Sequence, residues 1–418
     1  MRYFKQQDQK IETKHTLKKA FLVAALSGIL PMAHAAPTSA PKLNLTLSEH
    51  SKAKIKRLMN DPKVWQQIPK QVTLCVFSPD GANGEAFEQA TSYISELPRI
   101  SQIAKDFGVD MKITRPTKLS MHIDLSYPKL KKTATTDINL RVYTDERVLT
   151  EDFRGKKCDG AGISNLRARQ FNPFVGSIDA LGAVQSYKQL VTVIQLLARP
   201  EYDAKMVNND YEVVGVVPLG AAYIMVSDRR IDTLSKAAGK KVAVMNFDGT
   251  QRKLVQNVGA QPVSVDLLSV GGKFNNKEVD IMAGPALLFK PLELHKGMTD
   301  RSGKVVGGII KFPLIQVTGT LIMHRNKFPA GMGSIAREMI SQQLSPAFEF
   351  VDKTEREIPD KYWMDIREAD KPGYIRIMRE ARIQMTKEGY YDPAMMKILK
   401  KIRCSQNPSN YECSLTDE

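Results

Sequence analysis

The chain has 418 residues, 42% hydrophobic and 25% charged, with a formal net charge of +16. That is ordinary globular composition and excludes collagen, low-complexity disorder and coiled coil. At roughly 100–200 residues per domain the length suggests two or three domains, and past the N-terminus the longest weakly polar run, near Gly215–Val226, falls short of the ~20 residues a bilayer span needs.

Residues 1–35 read as an export signal. Lys14, Lys18 and Lys19 form a basic segment, Ala20–Leu30 a short apolar one, and Ala33-His34-Ala35 supplies the small residues of a cleavage site after Ala35. The alternative is an uncleaved anchor, which the short apolar run disfavours. No Cys stands at the cleavage site, which disfavours a lipoprotein. Cleavage removes six Lys/Arg and two Asp/Glu, leaving 55 basic and 43 acidic residues, net +12. The surplus is spread without an arginine-rich arm or basic-aromatic stripe, so nucleic acid is not an expected partner. An anionic solute or an anionic envelope surface suits it better.

Residues 36–71 form a lead-in containing Pro and Lys, partly helical around Ser51–Met59. Strand and helix signals then alternate. Val72–Phe77 reads as a buried strand ending in the turn-rich SPDGANG, with a helix near Glu85–Leu97. Ile138, Leu140 and Val142 alternate as a strand does. A helix follows near Glu146–Phe153, stopped by Gly155, then a strand in CDGAGIS (158–164). Tyr187, Leu190, Val191, Ile194 and Leu197 share one helical face. Residues 212–227 read as a strand. The next unit is compact: a short helix Ile231–Ala238, strand Val242–Met245, helix Thr250–Val258, strand Val263–Val265, a helical stretch around Leu267–Lys277, and strand Val279–Met282.

Such alternation predicts an α/β fold with parallel-type sheets flanked by helices. Ile309–Phe312 and Leu314–His324 read as strands carrying the chain back. The tail is helical: Asp370 precedes a segment with Tyr374, Ile377, Met378, Ala381 and Met385 on one face, ending at Gly389, and Asp392-Pro393 opens a second helix with a stripe of Met395, Ile398, Leu399 and Ile402. The expected organisation is a first lobe over 72–215, a second over 216–312, and a return to the first lobe with closing helices over 313–418.

Export places Cys75, Cys158, Cys404 and Cys413 in an oxidising compartment. Cys404 and Cys413 enclose the turn-rich SQNPSNYE, which predicts a bridge between them. Elimination pairs Cys75 with Cys158, the alternative being two buried thiols. No Cys-x-x-Cys or clustered His suggests a metal.

The sequence has no Walker A, G-x-G-x-x-G, H-E-x-x-H, EF-hand or G-x-S-x-G motif. His50, His122, His295 and His324 are scattered without triad or ligand spacing. No enzymatic activity, cofactor or metal is expected. In open parallel sheets, ligands sit beyond the carboxyl ends of strands. Those segments are Ser78-Pro79-Asp80-Gly81, Ser164–Gln170, Asn246–Gln251 and Ala283-Gly284-Pro285. Helix-start amides with hydroxyls and side-chain amides hold anions, and arginine clamps them bidentately. The candidate ligand contacts are therefore Ser78, Ser164, Asn165, Arg167, Arg169, Asn246, Gln251 and Pro285. Against this, Ser164 and Asn246 suit helix caps, the two arginines suit a solvated loop, Asp80 and Asp248 suit turns or caps, and Phe77, Phe247 and Tyr223 suit core.

The stretch IDTLSKAAGKKVAV, with VGAQPVSV and GGKFNNKEVDIM, resembles the second lobe of substrate-binding proteins of TRAP-type transporters. CDGAGISNLRARQFN, KYWMDIREADK, IMREARIQMTKEGYYD and the ending IRC…NYECSLTDE resemble AdeT-type solute-binding proteins of Gram-negative bacteria, over roughly residues 72–418. The resemblance implies a two-lobed, type II periplasmic-binding-protein fold: a periplasmic clamp that passes a small anionic or polar solute to an inner-membrane permease. It carries an alternative as well. Some members are linked to RND-type efflux and aminoglycoside resistance, which would make this chain an envelope accessory or adaptor acting through protein contacts. It lacks the membrane spans to be the pump itself. TRAP proteins usually carry a carboxylate-clamping arginine in the strand after the Gly-Lys. Here that strand reads GKKVAV, with Ala243 at about that place, leaving Arg167, Arg169 or Arg252 as substitutes. Residues 112–136 look like an insertion relative to the family.

Overall fold

The computed structural model describes residues 46–92 and 97–418. The expected export signal, the start of the expected lead-in and residues 93–96 of the expected Glu85–Leu97 helix lie outside them. Within them, residues 85–92 and 97–106 are helical.

Twelve strands make one mixed sheet. In chain order they are β1 (Gln71–Phe77), β2 (Asp110–Thr117), β3 (Ser120–Tyr127), β4 (Lys132–Tyr143), β5 (Gly160–Ser164), β6 (Val207–Asn208), β7 (Tyr211–Val226), β8 (Lys241–Met245), β9 (Gln261–Val265), β10 (Ile281–Pro285), β11 (Gly308–His324) and β12 (Trp363–Met364). Across the sheet they run β2-β3-β4-β1-β5-β11-β7-β10-β8-β9, with β12 on β11 and β6 on β7 off this path. The expected parallel segments are present: β4, β1 and β5 in one lobe, β10, β8 and β9 in the other.

The two segments are not separate sheets, because β7 and β11 pass through both. Their outer ends pair as Met323↔Glu212 beside β5, and their inner ends as Ile310↔Ile224 beside β10. The two strands expected at Ile309–Phe312 and Leu314–His324 are thus one. Between Ile310 and Ile315 its register slips, so four residues of β11 oppose Tyr223 alone. At a second register shift, between Val317 and Thr318, Gly220 pairs with Val317 and takes φ +101°, which a residue with a Cβ strongly disfavours.

Each lobe has its own core. Phe153, Val175, Leu190 and Val213 pack in the first, joined by Met395 and Leu399 of helix Pro393–Gln406. Met225, Phe274, Met282 and Ile309 pack in the second. Two sequence expectations shift. Ile231–Ala238 contains only one 3-10 turn, Leu234–Ala237. The strand at Val279–Met282 is displaced to Ile281–Pro285, so Ala283, Gly284 and Pro285 are strand residues rather than a loop. Residues 112–136 are the hairpin β2–β3 and the start of β4. Its base stacks Tyr127 on Trp65 of the lead-in, ring centroids 5.8 Å apart.

Both cysteine bridges are present: Cys75–Cys158 with Cα atoms 5.8 Å apart, and Cys404–Cys413 at 5.6 Å. The second ties down Glu412. There Arg382 and Arg403, both essentially inaccessible, meet the carboxylates of Glu412 and Glu418 at 2.9–3.2 Å. Their Nη1 groups donate to the carbonyls of Leu181 (2.7 Å) and Ala183 (2.9 Å).

Candidate functional site

Alternate residues of a strand share a face. In the second lobe, Val226 pairs with Ile281 and Ile281 with Val242, while Ile224 pairs with Ala283 and Ala222 with Pro285. One face therefore presents only apolar side chains. Helix Lys371–Lys387 lies over it, placing Tyr374 in one cluster with Val226, Ile281 and Ile310. Sheet and helix do not close on each other. They leave a cavity of about 630 Å³ whose wall includes Ile224, Val242, Ala283, Ile377 and Met378. Ligand pockets typically measure roughly 300–1,000 Å³.

The cavity continues to a polar end where first-lobe loops face the turn after β8. Ser164 caps the short helix Asn165–Ala168, its Oγ accepting from the Arg167 N–H at 3.4 Å. The Ser164 N–H and Oγ–H donate to Glu146 at 2.5 and 3.0 Å. That turn projects Arg167 into the wall, with its guanidinium over the Phe247 ring, 3.5 Å from the centroid. The contact joins the lobes, since Phe247 follows β8. Arg167 Nε is buried with no hydrogen-bond partner among the described residues; its nearest charge is Glu146 Oε2 at 4.0 Å.

Arg169 is held differently. Its Nε and Nη2 donate to the Gly176 carbonyl at 3.2 and 2.8 Å, and its plane lies over Tyr390 and Tyr391 at 4.1 and 5.3 Å. A Cβ on Gly176 would come within 2.5 Å of Arg169 Cβ, so this close approach requires glycine. The Tyr390 hydroxyl donates to Asp248 at 2.7 Å, a second contact of the turn after β8, here with the segment after helix 371–387.

Six of the eight candidates line this cavity: Ser164, Arg167, Arg169, Asn246, Gln251 and Pro285. Asn246 is exposed. The Gln251 side chain accepts from the Met245 N–H at 2.9 Å. Ser78 is buried away from the wall, donating to Asp80 at 2.6 Å. Asn165 is fully buried, donating to Val175 O and Asp179 and accepting from the Thr320 hydroxyl. Arg252 donates to Ser264 at 2.7 Å and is not in the wall, whereas Ala243 is. The arginine missing from GKKVAV is therefore not replaced by Arg252.

Glu146, Asp179, Tyr390 and Tyr391 also line the cavity, and sequence reasoning did not single them out. The only signal at hand was Gly389, after which the two tyrosines turn inward. Burial pushes the Glu146 carboxyl up, opposed by the Ser164 donors and Arg167. Burial raises Asp179 to about 6, against bonds from Thr318 and Asn165. Burial lowers Arg167, partly offset by Glu146. Each of these two carboxylates has protein donors, whereas Arg167 Nε has no acceptor at hydrogen-bond distance among the described residues. Among the described residues no group of acidic, His or Cys side chains could hold a metal.

The sequence profile described as solute-binding protein AdeT 1/2 matches residues 30–418. "Probable solute-binding protein AdeT1" of Acinetobacter baumannii is 44% identical over 343 residues, covering 82% of this chain and 100% of that protein. "Probable solute-binding protein AdeT2" of the same organism is 28% identical over 242 residues, 58% of this chain and 100% of that one. Among solved structures, a TRAP periplasmic solute-binding protein from Haemophilus influenzae with bound L-gulonate superposes at TM-score 0.57 with 14% identity, covering 79% of this chain and 99% of its own. One from Desulfovibrio salexigens with bound orotic acid gives 0.53 with 10% identity over 80% and 99%. At such identity these likenesses establish the two-lobed fold.

Proposed function

The chain belongs to the solute-binding protein AdeT 1/2 family, and from that premise we propose that it captures a small anionic solute between its lobes in the periplasm and passes it to a membrane transporter. The observation that carries the reading is Arg167. Its guanidinium lines the cavity, its Nε has no hydrogen-bond partner among the described residues, and it lies over a ring from the opposite lobe. A carboxylate accepting from it gains a charge-assisted bond in a partly desolvated site, worth roughly 1.5–3 kcal/mol. The fold neighbours support the choice of anion, since those crystallised with L-gulonate and orotic acid hold organic acids. No helix of the described residues is long and apolar enough to cross a membrane, so delivery requires a separate membrane partner.

Calorimetry with a panel of carboxylates, amino acids and an aminoglycoside tests this. At least one acid binds, and Arg167→Gln weakens it about tenfold or more while leaving the unfolding midpoint nearly unchanged. An aminoglycoside that binds while every acid is inert, or an R167Q variant that binds acids undiminished, would overturn it.

A further inference from the structure

Resting on the reading of Arg167 as the anion contact, the geometry points to a narrower ligand class: an amphiphilic monocarboxylate whose hydrocarbon or aromatic body lies along the second lobe's sheet. We propose that the cavity has two functionally distinct halves. The head-group half holds Arg167, Ser164 and Asn246. The other is an apolar arm.

The arm runs beneath helix Lys371–Lys387, whose Tyr374, Ile377, Met378 and Met385 all line the cavity. From Tyr374 to Met385 is eleven residues, which at about 1.5 Å each spans about 16 Å. Met385 and Tyr390 mark the head-group end, and Tyr374 the far end. Along this length the floor is Ile224, Val242, Ala283 and Pro285, and Leu234 adds to the far side. None of these offers a side-chain hydrogen bond. Ile224, Val242, Ala283 and Pro285 are strand residues paired with neighbouring strands of the sheet. A polyhydroxy acid placed here would strip water from its hydroxyls and find only the Tyr374 and Thr233 hydroxyls at the far end to replace it, an unfavourable exchange. A hydrocarbon body loses nothing and gains the transfer free energy of each buried group. The wall is also not sealed: Ile224, Val242 and Pro285 are half-buried and Ala283 is exposed, so the floor is available to an occupant.

Titration calorimetry of the full chain with sodium hexanoate, octanoate and decanoate, against succinate, gluconate and decanol, tests this below micellar concentrations. Affinity should rise about fourfold per methylene along the fatty-acid series, and succinate and gluconate should bind more weakly than decanoate. Ala283→Trp places bulk on the exposed floor and should abolish the gain from octanoate to decanoate, read as the slope of affinity against chain length. Succinate or gluconate binding as tightly as decanoate overturns the inference and leaves the anion reading standing. Decanol matching decanoate overturns the anion reading and leaves the arm standing. An A283W variant that folds and binds decanoate like the parent removes the arm from the sheet face, and if no acid in the series binds, both ideas fall.

Discussion

Asp179 shows how one side chain sets the behaviour of the site with pH. It is buried in the cavity wall, accepts from the Thr318 N–H and hydroxyl and from Asn165, and has its carboxyl raised to about 6. An ordinary Asp in the unfolded chain titrates near 3.8. Between these values the folded protein holds the proton more tightly than the unfolded one. The group's stabilising contribution is thus complete below about pH 4 and withdrawn as pH rises through about 6, a change of roughly 2–3 kcal/mol. Glu146 is shifted the same way by burial. Asp179→Asn should therefore make stability fall less steeply with rising pH over this window, read from urea midpoints at pH 4, 5, 6 and 7. The same ionisation places a negative charge in the wall of a site that we propose takes anions. Acid binding should tighten as pH falls through 6 in the parent and lose part of that dependence in D179N, a comparison calorimetry makes directly.

At the scale of elements, the two disulfides differ in what they restrain. Cys75–Cys158 closes a separation of 83 residues and joins β1 to the segment entering β5; Cys404–Cys413 closes 9. Loop-closure entropy gives about 4–5 kcal/mol for the first and about 2–3 for the second. The pair C75S/C158S should therefore lower the urea midpoint more than C404S/C413S. Equal losses would mean that the short bridge acts chiefly through the Arg382–Glu412 contacts it restrains.

The same scale shows what was legible. Helix Glu146–Arg154 was readable because Asp145 caps it and Gly155 ends it, and the apolar strands β7 and β8 stood out by composition. The β2–β3 hairpin was not, because β2 is largely exposed and offers little apolar alternation to detect. Pro313 and its bulge made β11 look like two strands. Helices Met332–Ser341 and Ser345–Arg356 went unnoticed altogether. At the cavity, strand-end reasoning named Arg167 and Gln251, which both line its wall. It also named Asn165, whose burial in a hydrogen-bond network with Asp179 and Thr320 depends on partners far along the chain. Glu146 and Tyr390 reach the cavity only through tertiary placement, which local pattern does not encode.

For the molecule as a whole, the continuity of the sheet decides how the lobes can move. β7 and β11 cross between them, so closure has to flex strands rather than swing on a free linker. The four-residue bulge of β11 and Gly220 at φ +101° mark where the ladder is interrupted. If Arg167 and Phe247 tighten around an acid, small-angle scattering should show a smaller radius of gyration at saturation than in the free protein, and an unchanged value would exclude closure on the ligand.

The buried pair Arg382 and Arg403 bears on the shape of the cavity wall. The carbonyls of Leu181 and Ala183 are gripped by two arginines whose counter-charges sit at positions 412 and 418, and Leu181 belongs to the cavity wall. Without those two acids both guanidiniums would be buried with no counter-charge, which costs several kcal/mol. A charge network remote from Arg167 therefore helps to fix the backbone of a segment that shapes the cavity.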